Sequence, residues 1–82
     1  MGRIAVLFRV YAAEGKEESV KASIETLKPK SIGLEDVAFG IKVIKVLFIT
    51  EDAEGTSSAL EEKLRRTKDV NEVEILEETL IS

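Results

Sequence analysis

Two short apolar runs constrain this chain more than anything else in it. Residues 3–11 hold Ile4, Ala5, Val6, Leu7 and Phe8 in a row and then Val10. Residues 41–49 hold Val43, Ile44, Val46, Leu47 and Phe48. A near-continuous apolar run of this length reads as a strand with most of both faces covered, which is the position of a central strand. Neither run approaches the ~20 residues that span a bilayer. Arg9 interrupts the first, and no small-residue cleavage pattern follows it, so it does not read as a leader.

The intervening stretches supply what two central strands need around them. Residues 14–27 predict a helix: Val20, Ile24 and Leu27 fall at i, i+4, i+7, with Glu17, Glu18, Lys21, Glu25 and Lys28 on the solvent side. Pro29 is the expected stop. Residues 31–39 predict a weaker, edge-type strand carrying the pair Glu35-Asp36, with Gly40 at a bend before the second strong strand. Lys42 and Lys45 then point to opposite faces. Residues 51–55 read as a polar connector. Thr56 or Ser58 is the expected cap of a second helix, with Ser58 and Glu61 at capping-box spacing and Leu60 and Leu64 as its buried stripe. Residues 70–81, mixed apolar and acidic, predict a last edge strand.

The order β-α-β-β-α-β has a known two-layer solution, a four-stranded antiparallel sheet with two helices on one face and the first and third strands central. The two most apolar strands are the first and third, so pattern and topology agree. The expected class is α+β with a ferredoxin-like βαββαβ arrangement, one domain over residues 1–82.

Composition narrows the chemistry. There is no cysteine and no histidine, which excludes disulfides, thiolate catalysis and Cys/His zinc sites and removes the commonest neutral-pH general base. No metal and no cofactor is expected. Twelve Lys and Arg against sixteen Asp and Glu give a formal net charge of −4. Chains that live on phosphate contacts carry a basic surplus, so no direct nucleic-acid binding is expected, although one local basic face remains open. The paired carboxylates Glu17-Glu18, Glu61-Glu62 and Glu77-Glu78 read as solvated faces, since nothing places two of them around a pocket. Lys63, Arg65, Arg66 and Lys68 form a basic cluster whose simplest role is to complement a helix C-terminus.

Three stretches resemble the exchange domain of the elongation factor 1-beta family. Val37-Ala38-Phe39-Gly40-Ile41-Lys42 is similar to the family's segment between strands two and three. Glu51-Asp52, Gly55-Thr56 and Leu60-Glu61-Glu62 resemble the loop and helix start after strand three. Val70-Asn71-Glu72-Val73-Glu74-Ile75 is like the family's final strand. The stretches occur in family order across essentially the whole chain, whose size is that of the archaeal form, the exchange domain alone.

The resemblance implies a translation factor of the cytoplasm that is not an enzyme. It implies a partner, the GTPase elongation factor 1-alpha, from which the protein promotes GDP release and GTP reloading. It implies that Phe39 inserts between elements of the GTPase near its switch region, with Gly40, Ile41 and Lys42 on the same contact segment and Leu80 and Ile81 as further contacts. Read without the resemblance, Phe39 is a core ring at a strand end and Lys42 a solvated charge. Eukaryotic members carry a Lys near the C-terminus that reaches toward the GTPase's Mg²⁺. Here residues 77–82 contain no basic side chain, so that step is not carried over. Two other classes share the element order. An amino-acid-sensing ACT-like module needs a Gly-rich turn after the first strand, which Gly15 fits poorly. An RRM-type RNA binder needs aromatics on the open face of its central strands; Phe8 and Phe48 lie on those strands, but the segment around Phe48 lacks the R-G-F/Y-G-F pattern and the acidic charge argues against it.

Overall fold

A computed structural model describes residues 2–81. The order is β1 (Arg3–Ala12), α1 (Glu17–Glu25), β2 (Ser31–Asp36), a 3₁₀ turn (Ala38–Gly40), β3 (Lys42–Glu51), α2 (Thr56–Arg65) and β4 (Val70–Leu80). The strands form one antiparallel sheet in the order β2-β3-β1-β4, with the two apolar strands in the middle. This is the ferredoxin-like arrangement.

Alternation along the strands sorts the core from the open face. Val6, Phe8 and Val10 of β1 and Ile44, Val46 and Phe48 of β3 are buried, in one cluster with Val20 and Ile24 of α1, Leu64 of α2 and Val73 of β4. Both helices therefore cover the same face. Phe8 and Phe48 meet edge to face, 6.0 Å between ring centroids and 77° between planes. The intervening residues Leu7, Arg9, Lys45 and Leu47 are half-buried on the uncovered face. There Lys45 pairs with Glu35 at 3.4 Å and Arg9 with Glu74 at 3.2 Å, so the two neighbouring cations on the central strands each lean toward a carboxylate on an edge strand.

Element ends differ from the expectation where local turn geometry overrides periodicity. The first helix begins at Glu17 rather than 14 and ends at Glu25, before Pro29 acts. Its last turn tightens through the Leu27 N–H to Ile24 O and Lys28 N–H to Glu25 O bonds, and Lys28 leaves with φ 58°. Neither Thr56 nor Ser58 caps the second helix. Gly55 occupies the N-cap with φ 81°, a left-handed backbone that glycine adopts without a Cβ penalty, and no side-chain cap bond forms. The strand expected over residues 31–39 stops at Asp36, and β3 runs on to Glu51. A bulge between Leu7 and Phe8 leaves Leu76 without a partner on β1.

Arg65 ties α2 to β4. Its guanidinium donates to Glu61 at 2.9 Å, to Glu72 at 2.7 Å and to the carbonyl of Val73 at 3.0 Å. Glu72 also accepts the Val73 N–H at 2.9 Å. That backbone N–H first, and then Arg65, hold the Glu72 carboxyl below its ordinary value of 4.5. A carboxyl depressed in the folded state contributes stability that is present above its unfolded value and lost as pH falls through the folded one. Glu72→Gln should therefore be less stable than the parent at neutral pH, and the gap should close on acidification below 4.5. Urea midpoints across the acid range test this. A gap that stays constant with pH contradicts it.

Candidate functional site

The turn between β2 and β3 is closed by two bonds, Val37 N–H to Ile41 O at 2.8 Å and Ile41 N–H to Ala38 O at 3.3 Å. At its tip the chain turns left-handed over two successive residues, Phe39 at φ 62°, ψ 34° and Gly40 at φ 74°. Glycine suits that region, and a bulky L-residue there is an outlier that costs about 1–2 kcal/mol. Phe39 nevertheless holds it, and its ring is 98% exposed, the most exposed large apolar side chain among the described residues. The reading of Phe39 as a core ring at a strand end is thereby excluded. Ile41 stands outside β3, also exposed, and Lys42 begins the strand as an exposed cation with no ion-pair partner among the described residues.

This segment forms one wall of a hollow of about 460 Å³. The other walls come from the C-terminal end of β1 (Tyr11, Ala12), the entry to α1 (Glu14, Glu17) and Asn71 at the start of β4. The sheet explains the assembly: antiparallel pairing brings the end of β1, the start of β3 and the start of β4 to one edge of the sheet. The hollow thus combines two exposed apolar groups, one cation and two carboxylates. Tyr11, Glu14, Glu17 and Asn71 were not legible as site residues, because no motif marks them. Only the strand register, followed from Val10 opposite Ile44 and Val73, would have found them.

Leu80 and Ile81 lie elsewhere. Leu80 pairs with Ile4, at the opposite end of β1 from Tyr11. Seven residues of strand at ~3.3 Å each separate the two places by roughly 23 Å. The Ile81 N–H donates to the Arg3 carbonyl at 2.9 Å, which fixes the chain end against β1. Both side chains are exposed, and alternation turns Ile81 to the open face, beside Ala5, Leu7, Leu47 and Thr79. The six residues picked out by sequence therefore form two groups at the two ends of the sheet.

The stacking platform of an RRM-type binder is absent from the described residues. Phe8 and Phe48 point into the helix-covered core, and the open face of β1 and β3 carries Leu7, Arg9, Lys45 and Leu47 in their place. Among the described residues no group of three acidic side chains comes together to hold a metal.

Residues 13–81 match the family described as EF-1 guanine nucleotide exchange domain. The chain belongs to that family. Three relatives align over nearly their full length. Elongation factor 1-beta of Methanospirillum hungatei is 33% identical over 99% of this chain and 100% of its own. That of Methanoregula boonei is 34% identical over 98% and 99%, and that of Aeropyrum pernix is 33% identical over 92% of each chain. As a member of the EF-1 exchange family the chain is a translation elongation factor with a guanine-nucleotide exchange role. The 39–42 segment and the Leu80–Ile81 end fall inside the matched residues, whereas Tyr11 and Ala12 of the hollow lie just before them.

Proposed function

We propose that this protein is the guanine-nucleotide exchange factor of the GTPase elongation factor 1-alpha, and that Phe39 is the residue it drives into that partner. The carrying observation is a fully exposed aromatic ring held in a left-handed turn, where it adds nothing to the core and costs backbone energy. Large exposed rings with little flanking bulk suit a hot spot, where one side chain fills a partner pocket. Ala38 and Gly40 provide that clearance, and Lys42 stands ready for a partner carboxylate or phosphate. Leu80 and Ile81, at the other end of the sheet, meet a second part of the partner, so the domain engages the GTPase at two separated places.

Such a factor needs no covalent chemistry and is not an enzyme. A GTPase holds GDP through its phosphate-binding loop, a Lys and Mg²⁺. A factor that binds the nucleotide-free state more tightly than the GDP state shifts the partner toward release. Residues 77–82 carry no cation, so none of them supplies an ammonium toward Mg²⁺. We read residues 1–82 as one exchange domain working in the cytoplasm.

Linkage makes the reading testable without a kinetic assay. If the factor weakens GDP binding by some ratio, GDP must weaken factor binding by the same ratio. Calorimetric titration of this protein into elongation factor 1-alpha should show tight binding to the nucleotide-free form and at least ~5-fold weaker binding with saturating GDP. Equal affinity for the two forms overturns the exchange reading.

A further inference from the structure

The basic cluster of α2 does not act as a unit. Arg65 is spent on Glu61, Glu72 and the Val73 carbonyl. Lys63, Arg66 and Lys68 turn instead to a cleft of about 400 Å³ on the helical layer, walled on its other side by Ser23, Thr26 and Leu27 at the end of α1. No carboxylate lines it. Arg66 is steadied by Glu62, whose carboxylate accepts from Nε at 3.0 Å, which leaves the two terminal guanidinium nitrogens for a ligand. Lys63 and Lys68 have no ion-pair partner among the described residues. In a chain of net charge −4, three cations facing one cleft are a marked local reversal of sign.

Two of the three hydroxyls that line the cleft, those of Thr26 and Thr67, favour one kind of anion. Thr26 donates its hydroxyl hydrogen to the Ser23 carbonyl at 2.6 Å, and Thr67 donates its own to the Lys63 carbonyl at 3.0 Å. A hydroxyl has one hydrogen, so both oxygens are left as acceptors beside the three cations. A carboxylate brings only acceptors and cannot use them. A ribose brings a 2′-hydroxyl donor next to each phosphate, and that group is what distinguishes RNA from DNA. We propose that this cleft docks the ribose–phosphate backbone of RNA. Lys63, Arg66 and Lys68 take phosphates, and Thr26 and Thr67 accept from 2′-hydroxyls. The acidic remainder of the domain repels the polyanion and confines contact to this face, so binding is weak, local and indifferent to base sequence. The cleft shares no lining residue with the Phe39 hollow, so RNA contact and exchange are separable.

Fluorescence anisotropy with a labelled RNA duplex of about 16 base pairs, and with DNA of the same sequence, tests the site. Three phosphate contacts predict an affinity loss of roughly 20–40-fold between about 50 and about 200 mM KCl. The variant Lys63→Gln/Arg66→Gln/Lys68→Gln should lose at least ~10-fold in RNA affinity at the lower salt, while Arg3→Gln/Lys16→Gln, removing two cations elsewhere, should change it less than ~2-fold. Thr26→Val/Thr67→Val should erase a preference for RNA over DNA that the parent shows. Thermal melts confirm that each variant is folded, and GDP release stimulated by the triple variant should match the parent. The inference is overturned if the triple variant binds RNA as the parent does, if the parent does not prefer RNA to DNA, or if polyglutamate displaces the RNA as well as unlabelled RNA does.

Discussion

Replacing Phe39 with alanine should leave the protein as stable as before and remove most of its stimulation of GDP release. The ring is 98% exposed, so its loss opens no cavity and the unfolding free energy from urea titration should change by no more than about 0.5 kcal/mol. Phe39→Gly should be as stable as the parent or more so, because glycine carries no penalty at φ 62°. Exchange should respond in the opposite way. A hot-spot ring contributes ~2 kcal/mol or more to an interface, which is a loss of about 30-fold in stimulated release at limiting factor. Urea unfolding and exchange on the same preparations decide the matter. Full exchange activity in a folded Phe39→Ala protein removes the residue from the site.

The second large effect lies in the core. Phe8 is fully buried at the middle of β1, edge to face with Phe48 and in one cluster with Val20, Ile24 and Leu64. Truncating a buried Phe to Ala costs ~3–5 kcal/mol in lost transfer energy and cavity. A domain of this length has a total stability on the order of 4–12 kcal/mol at typical values per residue. Phe8→Ala should therefore bring the protein close to its unfolding transition at 25 °C, with a large fall in midpoint and loss of native circular dichroism at modest urea. A shift below about 1 kcal/mol would mean that the two helices do not cover this face of the sheet. Phe8 and Phe39 thus make opposite pairs: one change removes stability and function together, the other function alone.

What was readable in the sequence follows the strength of the local signal. The central strands were legible because Ile4–Val10 and Val43–Ile49 are apolar at nearly every position, but the expectation that most of both faces are covered does not hold: the helices cover one face, and Leu7 and Leu47 stay half-buried on the other. The helix stripes Val20/Ile24 and Leu60/Leu64 were legible for the same kind of reason. The turn at residues 38–40 was not. Apolar Val37, Ala38 and Phe39 extend the strand pattern, whereas the chain leaves the sheet at Asp36 and turns left-handed through a phenylalanine, a choice no propensity favours. The cap of α2 was missed because Gly55 at φ 81° sets the helix entry by backbone conformation, leaving the Ser58/Glu61 pair within the helix. At the candidate site, the segment 39–42 was singled out through its family pattern, and the neighbours that share its hollow, Tyr11, Glu14, Glu17 and Asn71, were not, since they are joined to it only by strand register. The same holds for the basic cluster, in which four adjacent-looking cations divide into one structural arginine and three that face a cleft.

An exchange factor is defined by one step, the accelerated loss of GDP from its GTPase. Stopped-flow release of fluorescent GDP from the cognate elongation factor 1-alpha, at increasing concentrations of this protein and with excess unlabelled nucleotide, measures that step alone. The release rate should climb with factor concentration and reach a plateau well above the spontaneous rate. A release rate that stays at the spontaneous value at every concentration, with the complex shown to form, would contradict it.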